Sequence, residues 1–560
     1  MSALDWAVML GTVFGIVAYG AWKTRRVATV QGYLRGDNEL PWYTVGLSVM
    51  ATQASAITFL STPGQGYDDG MRFVQFYLGL PIAMVILSAV VVPRYFRLRV
   101  YTAYEFLESR FDKRTRQLAA FLFLIQRGLA AGITIYAPAI ILSTILGWPL
   151  DVTNVAIGLV VVVYTVTGGT KAVSQTQKHQ MVVMLGGMVA ALVMVVLHLP
   201  EHVSFGEAVQ VAGAFGRMNA IDFSLDLDSR YTFWSGITGG LFLALAYFGT
   251  DQSQVQRYLS GRSIAQARLG LLFNGLLKIP MQFLILFIGV MVFVFYQFVE
   301  PPVFFNEAAR AQAAATSHGP ELAEVEAAHA RIFQVKRAAV DTWLGARRAG
   351  DEEAAATAKA SMRELSAQDV ELRAKARAII ARAVPGAETK DTDYVFLSFV
   401  MKFLPIGVVG LLVAVILSAA MSSTASELSA LGTTTAIDFY KRSFRPDADE
   451  AHTLRVSKVF IVGWGLLAIA FATFASLIDN LIQAVNILGS LFYGTILGIF
   501  LAAFFLKRVR AAGVFWAAVL SEALVLAMFF LSDVGFLWYN VVGCAGVVLL
   551  APLFGREETL

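Results

Sequence analysis

Long apolar segments recur along the whole chain and are separated by short polar loops. A helix of about 20 apolar residues crosses roughly 30 Å of hydrocarbon, and segments of about that length lie near 4–23, 40–62, 72–97, 115–147, 151–168, 176–199, 233–251, 266–298, 396–440, 453–477, 480–506, 511–531 and 535–554. The pattern predicts an all-α polytopic membrane protein with about 13 transmembrane helices, whose two ends lie on opposite sides of the bilayer.

One segment departs from this pattern. Residues 299–392 are rich in Ala, Glu and Arg with mixed charge, and they predict two or three soluble helices broken near Gly319, Gly350 and Pro385. We therefore expect membrane helices over 1–298, a soluble extracytoplasmic insertion over 299–392 and further membrane helices over 393–560. Alternating charge usually marks a solvated helical face, and a partner-binding or gating role is the other interpretation.

Basic residues concentrate in alternate loops, which predicts the orientation of the chain. They are Lys23, Arg25, Arg26, Arg35, Arg94, Arg97, Arg99, Arg110, Lys113, Arg114, Lys171, Arg257, Arg262, Lys441, Arg442, Arg445, Lys507, Arg508, Arg510 and Arg556. Loops of the other parity hold few Lys and Arg outside the insertion. We expect the protein to lie in the cell (inner) membrane. By the positive-inside rule its N-terminus lies outside and its C-terminus in the cytoplasm.

The amino-acid composition is also typical of a membrane protein. Of 560 residues, 57% are hydrophobic and 15% are charged, and the mean hydropathy is +0.64, far from a soluble globular domain. The single cysteine, Cys544, excludes an internal disulfide. The sequence shows no Walker motif, metal-ligand cluster or catalytic triad. We expect no enzymatic activity, no nucleic-acid partner and a monomer.

The ninth apolar segment carries a dense polar cluster in its middle. The cluster consists of Ser422, Ser423, Thr424, Ser426 and Glu427. Polar groups at bilayer depth are costly and usually face a polar path inside the protein. Paired hydroxyls beside small alanines suit a hard cation such as sodium. Alternatively, each hydroxyl bonds to a carbonyl of its own helix.

Two apolar segments show interruptions. Thr52, Gln53, Ser55 and Thr58 interrupt the second segment, and Pro63, Gly64 and Gly66 are expected to end it early. The seventh segment contains Gly236, Gly239 and Gly240. These two segments lie five spans apart and run in opposite directions. Interrupted helices at matching positions of two inverted halves indicate the binding site of a secondary transporter.

Several motifs resemble those of the sodium:solute symporter family over most of the chain outside the insertion. They are YLRGDNELPWYTVGLSVMAT, TAYEFLESRFDKRTR, YTVTGGTKAV, GTDQSQVQRYL and AAMSS. Different segments are similar to the sialic acid, sugar and iodide/multivitamin/monocarboxylate branches. The resemblance implies a core of leucine-transporter type, with two inverted five-helix repeats plus one N-terminal and two C-terminal helices.

The resemblance also implies site residues. The sodium ligands would be the carbonyls of Ala51, Ala54 and Ala419 and the hydroxyls of Ser422 and Ser423. The solute would contact Gln53, Ser55, Thr58, Phe73, Tyr77, Tyr247, Lys278 and Asn486. Tyr247 would either close over the solute or serve as a packing aromatic.

A second sodium site known in some relatives corresponds here to Gln177, Ala425 and Ser426, so one carboxylate and one hydroxyl are missing. We expect one sodium per solute. Either a Lys178–Glu427 pair replaces the second ion, or Lys178 extends to the cytoplasmic surface and Glu427 faces water.

The function expected from these features is sodium-coupled import of a small polar organic solute by alternating access. The solute would be a sugar, a sialic acid or a carboxylate-like compound. The alternatives are a solute sensor without net transport and a symporter of an inorganic or vitamin anion.

Overall fold

The computed structural model describes residues 1–24, 39–98, 100–385, 391–474 and 481–555. Arg25, Arg26, Arg35, Arg99 and Arg556, which enter the orientation prediction, lie outside the described residues. The helices in chain order are α1 (Ala3–Thr24), α2 (Trp42–Gln53), α3 (Ala56–Asp69), α4 (Leu80–Leu98), α5 (Glu105–Arg110), α6 (Lys113–Leu146), α7 (Leu150–Leu197), α8 (Phe205–Ala214), α9 (Gly240–Thr250), α10 (Gln252–Leu259), α11 (Ile264–Phe298), α12 (Glu307–Ala314), α13 (Gly319–Ala349), α14 (Glu352–Ala383), α15 (Val395–Phe403), α16 (Val408–Thr434), α17 (Glu450–Ala472), α18 (Leu481–Phe505), α19 (Ala511–Leu531) and α20 (Leu537–Phe554).

The apolar helices account for the predicted spans. Within the described residues, 10 helical segments are long and apolar enough to cross a membrane, and Ala3–Tyr19 and Ser235–Thr250 are shorter apolar helices. One of the ten, Ala56–Leu98, contains both α3 and α4 and therefore counts as two spans. These eleven spans and the two shorter helices together give the predicted 13. The fifth and sixth spans are the two halves of α7, where Gly169 turns the chain with a φ of 60°. The predicted all-helical membrane fold is confirmed.

The second and seventh spans are each divided into two helices. Between α2 and α3, Ala54 adopts a φ of −83° and a ψ of 80°. Between α9 and α10, Asp251 has a ψ of 120°, and its side chain accepts a hydrogen bond from the Ser253 amide. The break in the seventh span thus lies at Asp251, and not at the glycines that the sequence suggested.

Gly236 and Gly239 lie in a π-helical turn, Ser235–Gly239, that continues into α9 without a break, and glycines in both spans also allow close packing. A Cβ atom on Gly236 would lie 2.0 Å from the Gln75 carbonyl oxygen, and one on Gly66 would lie 2.3 Å from that of Leu286. α3 also continues through Pro63 and ends at Asp69. The expectation that Pro63, Gly64 and Gly66 end this span early is therefore wrong, because glycines also admit a neighbouring backbone without ending a helix.

Helix α16 lies at the centre of the bundle. It packs against α1, α6 and α7 and also contacts α2 and α3. Its residues from Ser418 to Thr434 are buried throughout. α11 packs along α2, α3 and α4 on another side of the same core. This arrangement places the polar middle of α16 against the break between α2 and α3.

The segment that follows α11 forms three helices, of which α13 and α14 pair as a hairpin. The buried Lys336 on α13 donates to Asp369 on α14 over 3.0 Å. At the base of this insertion, Asp391 accepts hydrogen bonds from the Phe305 amide at 2.6 Å and from Arg373 at 2.9 Å. Next to Asp391, the Thr392 hydroxyl donates to Asp68 at the end of α3. The insertion is thus anchored on the broken second span.

Candidate functional site

The candidate sodium ligands meet where α16 crosses the break in the second span. The Ser422 hydroxyl lies 2.8 Å from the Ala51 carbonyl oxygen of α2 and 3.2 Å from that of Ala419. The Ser423 hydroxyl lies 3.0 Å from the same Ala419 oxygen, and Ala54 occupies the break itself. Ser422 therefore bridges two helices, whereas the described bonds of Ser423 stay within its own helix.

The donor set fits a monovalent cation. Within this group the oxygens of Ala51, Ala419, Ser422 and Ser423 are neutral, and all four residues are buried. Neutral carbonyl and hydroxyl oxygens suit a hard monovalent ion, whereas a divalent ion usually recruits carboxylates. Local unwinding at Ala54 also frees carbonyls from their helical partners, and at membrane depth such carbonyls need another partner.

Gln177 lies at the position that the family resemblance assigned to a second ion. Three oxygens lie within 3.0 Å of its side-chain Nε2 atom, namely Thr52 Oγ1, the Ser422 carbonyl oxygen and Ser426 Oγ. Its Oε1 atom accepts a hydrogen bond from the Ser48 hydroxyl. A neutral amide donor thus satisfies a group of oxygens beside the candidate sodium ligands.

A cavity opens next to these oxygens and collects most of the predicted solute residues. The predicted residues that line it are Gln53, Ser55, Thr58, Tyr77, Tyr247 and Asn486. Phe73 does not line it, because its ring packs between Phe76 and Tyr231. Lys278 is also set back, with its Nζ atom 5.6 Å from the centre of the Tyr77 ring.

The predicted Glu427 belongs to a charged cluster beside the cavity whose other members, Arg127 and Asp251, were not predicted from the sequence; Arg127 and Glu427 line the cavity. Arg127 on α6 contacts Glu427 on α16 at 3.1 Å, and it pairs with Asp251 and the Tyr493 hydroxyl. The second oxygen of Glu427 accepts from the Thr134 hydroxyl at 2.7 Å. Arg127 and Asp251 are almost fully buried. One signal was available, since a charged residue inside an apolar span is by default a functional candidate.

This cluster corrects the predicted charge pair. Glu427 is bound by Arg127 and Thr134, so it does not pair with Lys178, and it is buried beside the cavity. Lys178 is half-buried and follows Gln177 on α7. Adjacent residues on a helix do not face the same neighbour. Because Gln177 faces α16, Lys178 projects away from it.

Comparisons with known proteins give one consistent family. The family model described as "Sodium:solute symporter family" matches residues 33–328 and 365–521. The Homo sapiens sodium-coupled monocarboxylate transporter 2 is 33% identical over 273 residues, which cover 48% of this chain and 44% of the relative. The Homo sapiens sodium/iodide cotransporter is 34% identical over 277 residues, 49% of this chain and 42% of the relative. The chain thus spans less than half the length of these two relatives.

Two further matches extend over nearly the whole chain. The sodium/sialic acid symporter SiaT of Proteus mirabilis (strain HI4320) is 25% identical over 574 residues, covering 100% of this chain and 96% of the relative. A solved substrate-bound outward-open state of a Na+-coupled sialic acid symporter superposes with a TM-score of 0.76 at 23% identity, covering 100% of both chains. The structural match supports the fold.

Proposed function

The chain belongs to the sodium:solute symporter family, and from this premise we propose that it is a sodium-coupled symporter of a small polar organic solute. The observation that carries the proposal is the contact between the Ser422 hydroxyl and the Ala51 carbonyl oxygen across two helices. The sequence similarity to sodium-coupled transporters supports it. Sodium would bind among these oxygens as a co-transported substrate.

The arrangement couples the ion to the solute through shared elements. The broken second span supplies Ala51 to the ion group and Gln53, Ser55 and Thr58 to the cavity. Ion binding that orders this break also orders the cavity wall, so each ligand raises the affinity for the other by the same factor. Alternating access would then move one bundle of helices against the other around this midplane site.

Paired variants of adjacent residues test the sodium site. We expect Ser423→Ala to lower sodium affinity by about 5- to 150-fold, because losing one oxygen ligand costs about 1–3 kcal/mol. Uptake at moderate sodium should then be lost. Thr424→Val is the matched control, because the buried Thr424 hydroxyl has no hydrogen-bond partner among the described residues.

The measurements are sodium-dependent thermal stabilisation of the purified protein and solute uptake into proteoliposomes. Sodium should stabilise the wild type and Thr424→Val at similar concentrations, whereas Ser423→Ala should need far more. Equal sodium dependence in Ser423→Ala and the wild type would contradict the assignment of this site.

A further inference from the structure

The charge on the cavity wall limits which solutes can bind. Arg127 is the one basic residue among the described residues that line the cavity. Its Nη1 atom donates to Glu427 and its Nη2 atom to Asp251 and Tyr493. The guanidinium is therefore held by two carboxylates and a phenol, and only its Nε atom lacks a partner in the described structure.

The cluster carries a formal charge of −1, from one guanidinium and two carboxylates. Arg127, Asp251 and Glu427 are each at most 4% exposed, so water screens them little and their charges act strongly on a nearby ligand. Beyond the single donor at Nε, a carboxylate solute would have to displace Glu427 or Asp251 to pair with Arg127. The displaced carboxylate would then remain buried without its cation, which is strongly unfavourable.

Lys278 is a second buried cation, and an aromatic ring separates it from the solute space. Lys278 is fully buried, and its Nζ atom lies over the Tyr77 ring, whereas Tyr77 itself lines the cavity. The aromatic ring thus stands between the ammonium and the solute space. Lys278 contributes to the local charge but offers a bound carboxylate no direct contact in this arrangement.

The rest of the wall offers uncharged hydrogen-bonding groups. Gln53 Oε1, Gln126 Oε1 and Asn486 Nδ2 are buried without partners in the described structure, and all three residues line the cavity. Amide groups can accept and donate to hydroxyl or amino groups. Tyr247 adds an aromatic face beside them.

We infer that the solute is a compound without net negative charge, either an uncharged polyhydroxyl compound or a zwitterion. This inference rests on the proposed function, because it takes one sodium as the co-substrate. One sodium and the −1 cluster together sum to zero, so a net-neutral solute leaves the ion and this cluster without net charge, while Lys278 lies outside the cluster behind the Tyr77 ring. A monocarboxylate or a sialic acid would add a negative charge that the ion and the cluster do not balance, at membrane depth.

A solute screen with the purified protein tests the inference. Thermal stabilisation is measured in sodium and in potassium with neutral sugars and polyols, zwitterionic amino acids, lactate, N-acetylneuraminate and iodide. We expect sodium-dependent stabilisation by a neutral or zwitterionic compound and none by the anions. Sodium-dependent stabilisation of the wild type by lactate, N-acetylneuraminate or iodide would overturn the inference while supporting the proposed function. If sodium changes neither the thermal stability of the protein nor the binding of any solute, the proposed function fails, and the inference fails with it.

A charge variant gives an independent readout. Glu427→Gln brings the cluster to zero and frees Nη1 of Arg127, so we expect lactate affinity to rise by about 10-fold or more over the wild type, equivalent to about 1.4 kcal/mol. Glu522→Gln is the control, because Glu522 is also buried in a membrane helix but does not line the cavity. Unchanged lactate affinity in a folded Glu427→Gln protein would contradict the inference.

Discussion

The amide nitrogen of Gln177 is a neutral donor among oxygens that could otherwise hold a cation. Thr52, Ser426 and the Ser422 carbonyl all lie within 3.0 Å of it. Because the amide donates into this group of oxygens without adding charge, a second sodium ion would have to displace the amide and would find no carboxylate there. The expectation of one sodium per solute thus has a physical basis in Gln177, and the predicted Lys178–Glu427 pair is not needed for it.

We predict a coupling ratio of one sodium per solute in the wild type. The double substitution Gln177→Asp with Ala425→Ser restores one carboxylate and one hydroxyl beside Ser426, so we expect a second sodium to bind and the ratio to approach two. Parallel sodium and solute fluxes in proteoliposomes measure this ratio. Ala425→Ser alone should keep a ratio of one, because it adds a hydroxyl without the charge. A wild-type ratio of two would show that the amide does not exclude the ion.

The residues of the site differ in how far the sequence could predict them. Gln53, Ser55 and Thr58 interrupt an apolar run, and the structure places them on the cavity wall. Arg127 and Asp251 come together from residues 124 positions apart in the chain, and no local pattern reveals such a pairing. Lys178 was misplaced because its direction depends on how α7 is rotated against α16, which hydropathy does not determine.

At the scale of elements, the hairpin of α13 and α14 depends on a buried polar contact. Asp369 on α14 accepts from Lys336 at 3.0 Å and lies 3.0 Å from His329 Nε2, both on α13. The mixed charge of these helices predicts solvated faces, yet this triad lies between the two helices. Burial opposes ionisation of Asp369, but the contact with His329 and the charge of Lys336 outweigh it, so the pKa of this carboxyl lies below its usual value of 3.8.

We predict that Asp369→Asn opens the hairpin at neutral pH. Removing one partner of a buried pair leaves Lys336 uncompensated and costs about 3 kcal/mol. Limited proteolysis with trypsin should cut the variant faster than the wild type within α13 and α14. Glu371→Gln is the control on the same helix, because Glu371 pairs with Lys375 in an exposed position. Equal cleavage of Asp369→Asn and the wild type would argue against this contact.

The contact between Asp369 and Lys336 also predicts how the stability of the hairpin changes with pH. A carboxyl with a lowered pKa in the folded state contributes stability that is fully present above its unfolded pKa and is lost as the pH falls through the folded value. The contribution of Asp369 to hairpin stability should therefore be constant from pH 7 down to about 5 and decline below about 4. Cleavage by pepsin, which is active in acid, should rise below pH 4 in the wild type.

At the scale of the whole molecule, loops rich in basic residues meet at one end of the bundle. Arg110, which follows the third span, donates to the Lys507 carbonyl after the eleventh span at 2.8 Å. Arg442, at the end of the ninth span, contacts Glu108. The insertion contacts Asp68 at the C-terminal end of α3. This is the end of the second span that lies farther from α2. The folded chain thus brings together loops of one parity, as the alternation of basic residues requires.

We predict that the end of the bundle with these basic loops lies in the cytoplasm and that the insertion lies outside. Retention of Lys and Arg on the cytoplasmic side sets the orientation of spans that follow short loops. Ser361→Cys on α14 and Arg508→Cys after α18 introduce thiols at exposed positions, whereas the native Cys544 is buried and should give little background. A membrane-impermeant maleimide applied to intact cells should label Ser361→Cys at once and Arg508→Cys only after the membrane is opened. The reverse order of labelling would invert the topology, and with it the direction in which the sodium gradient drives the solute.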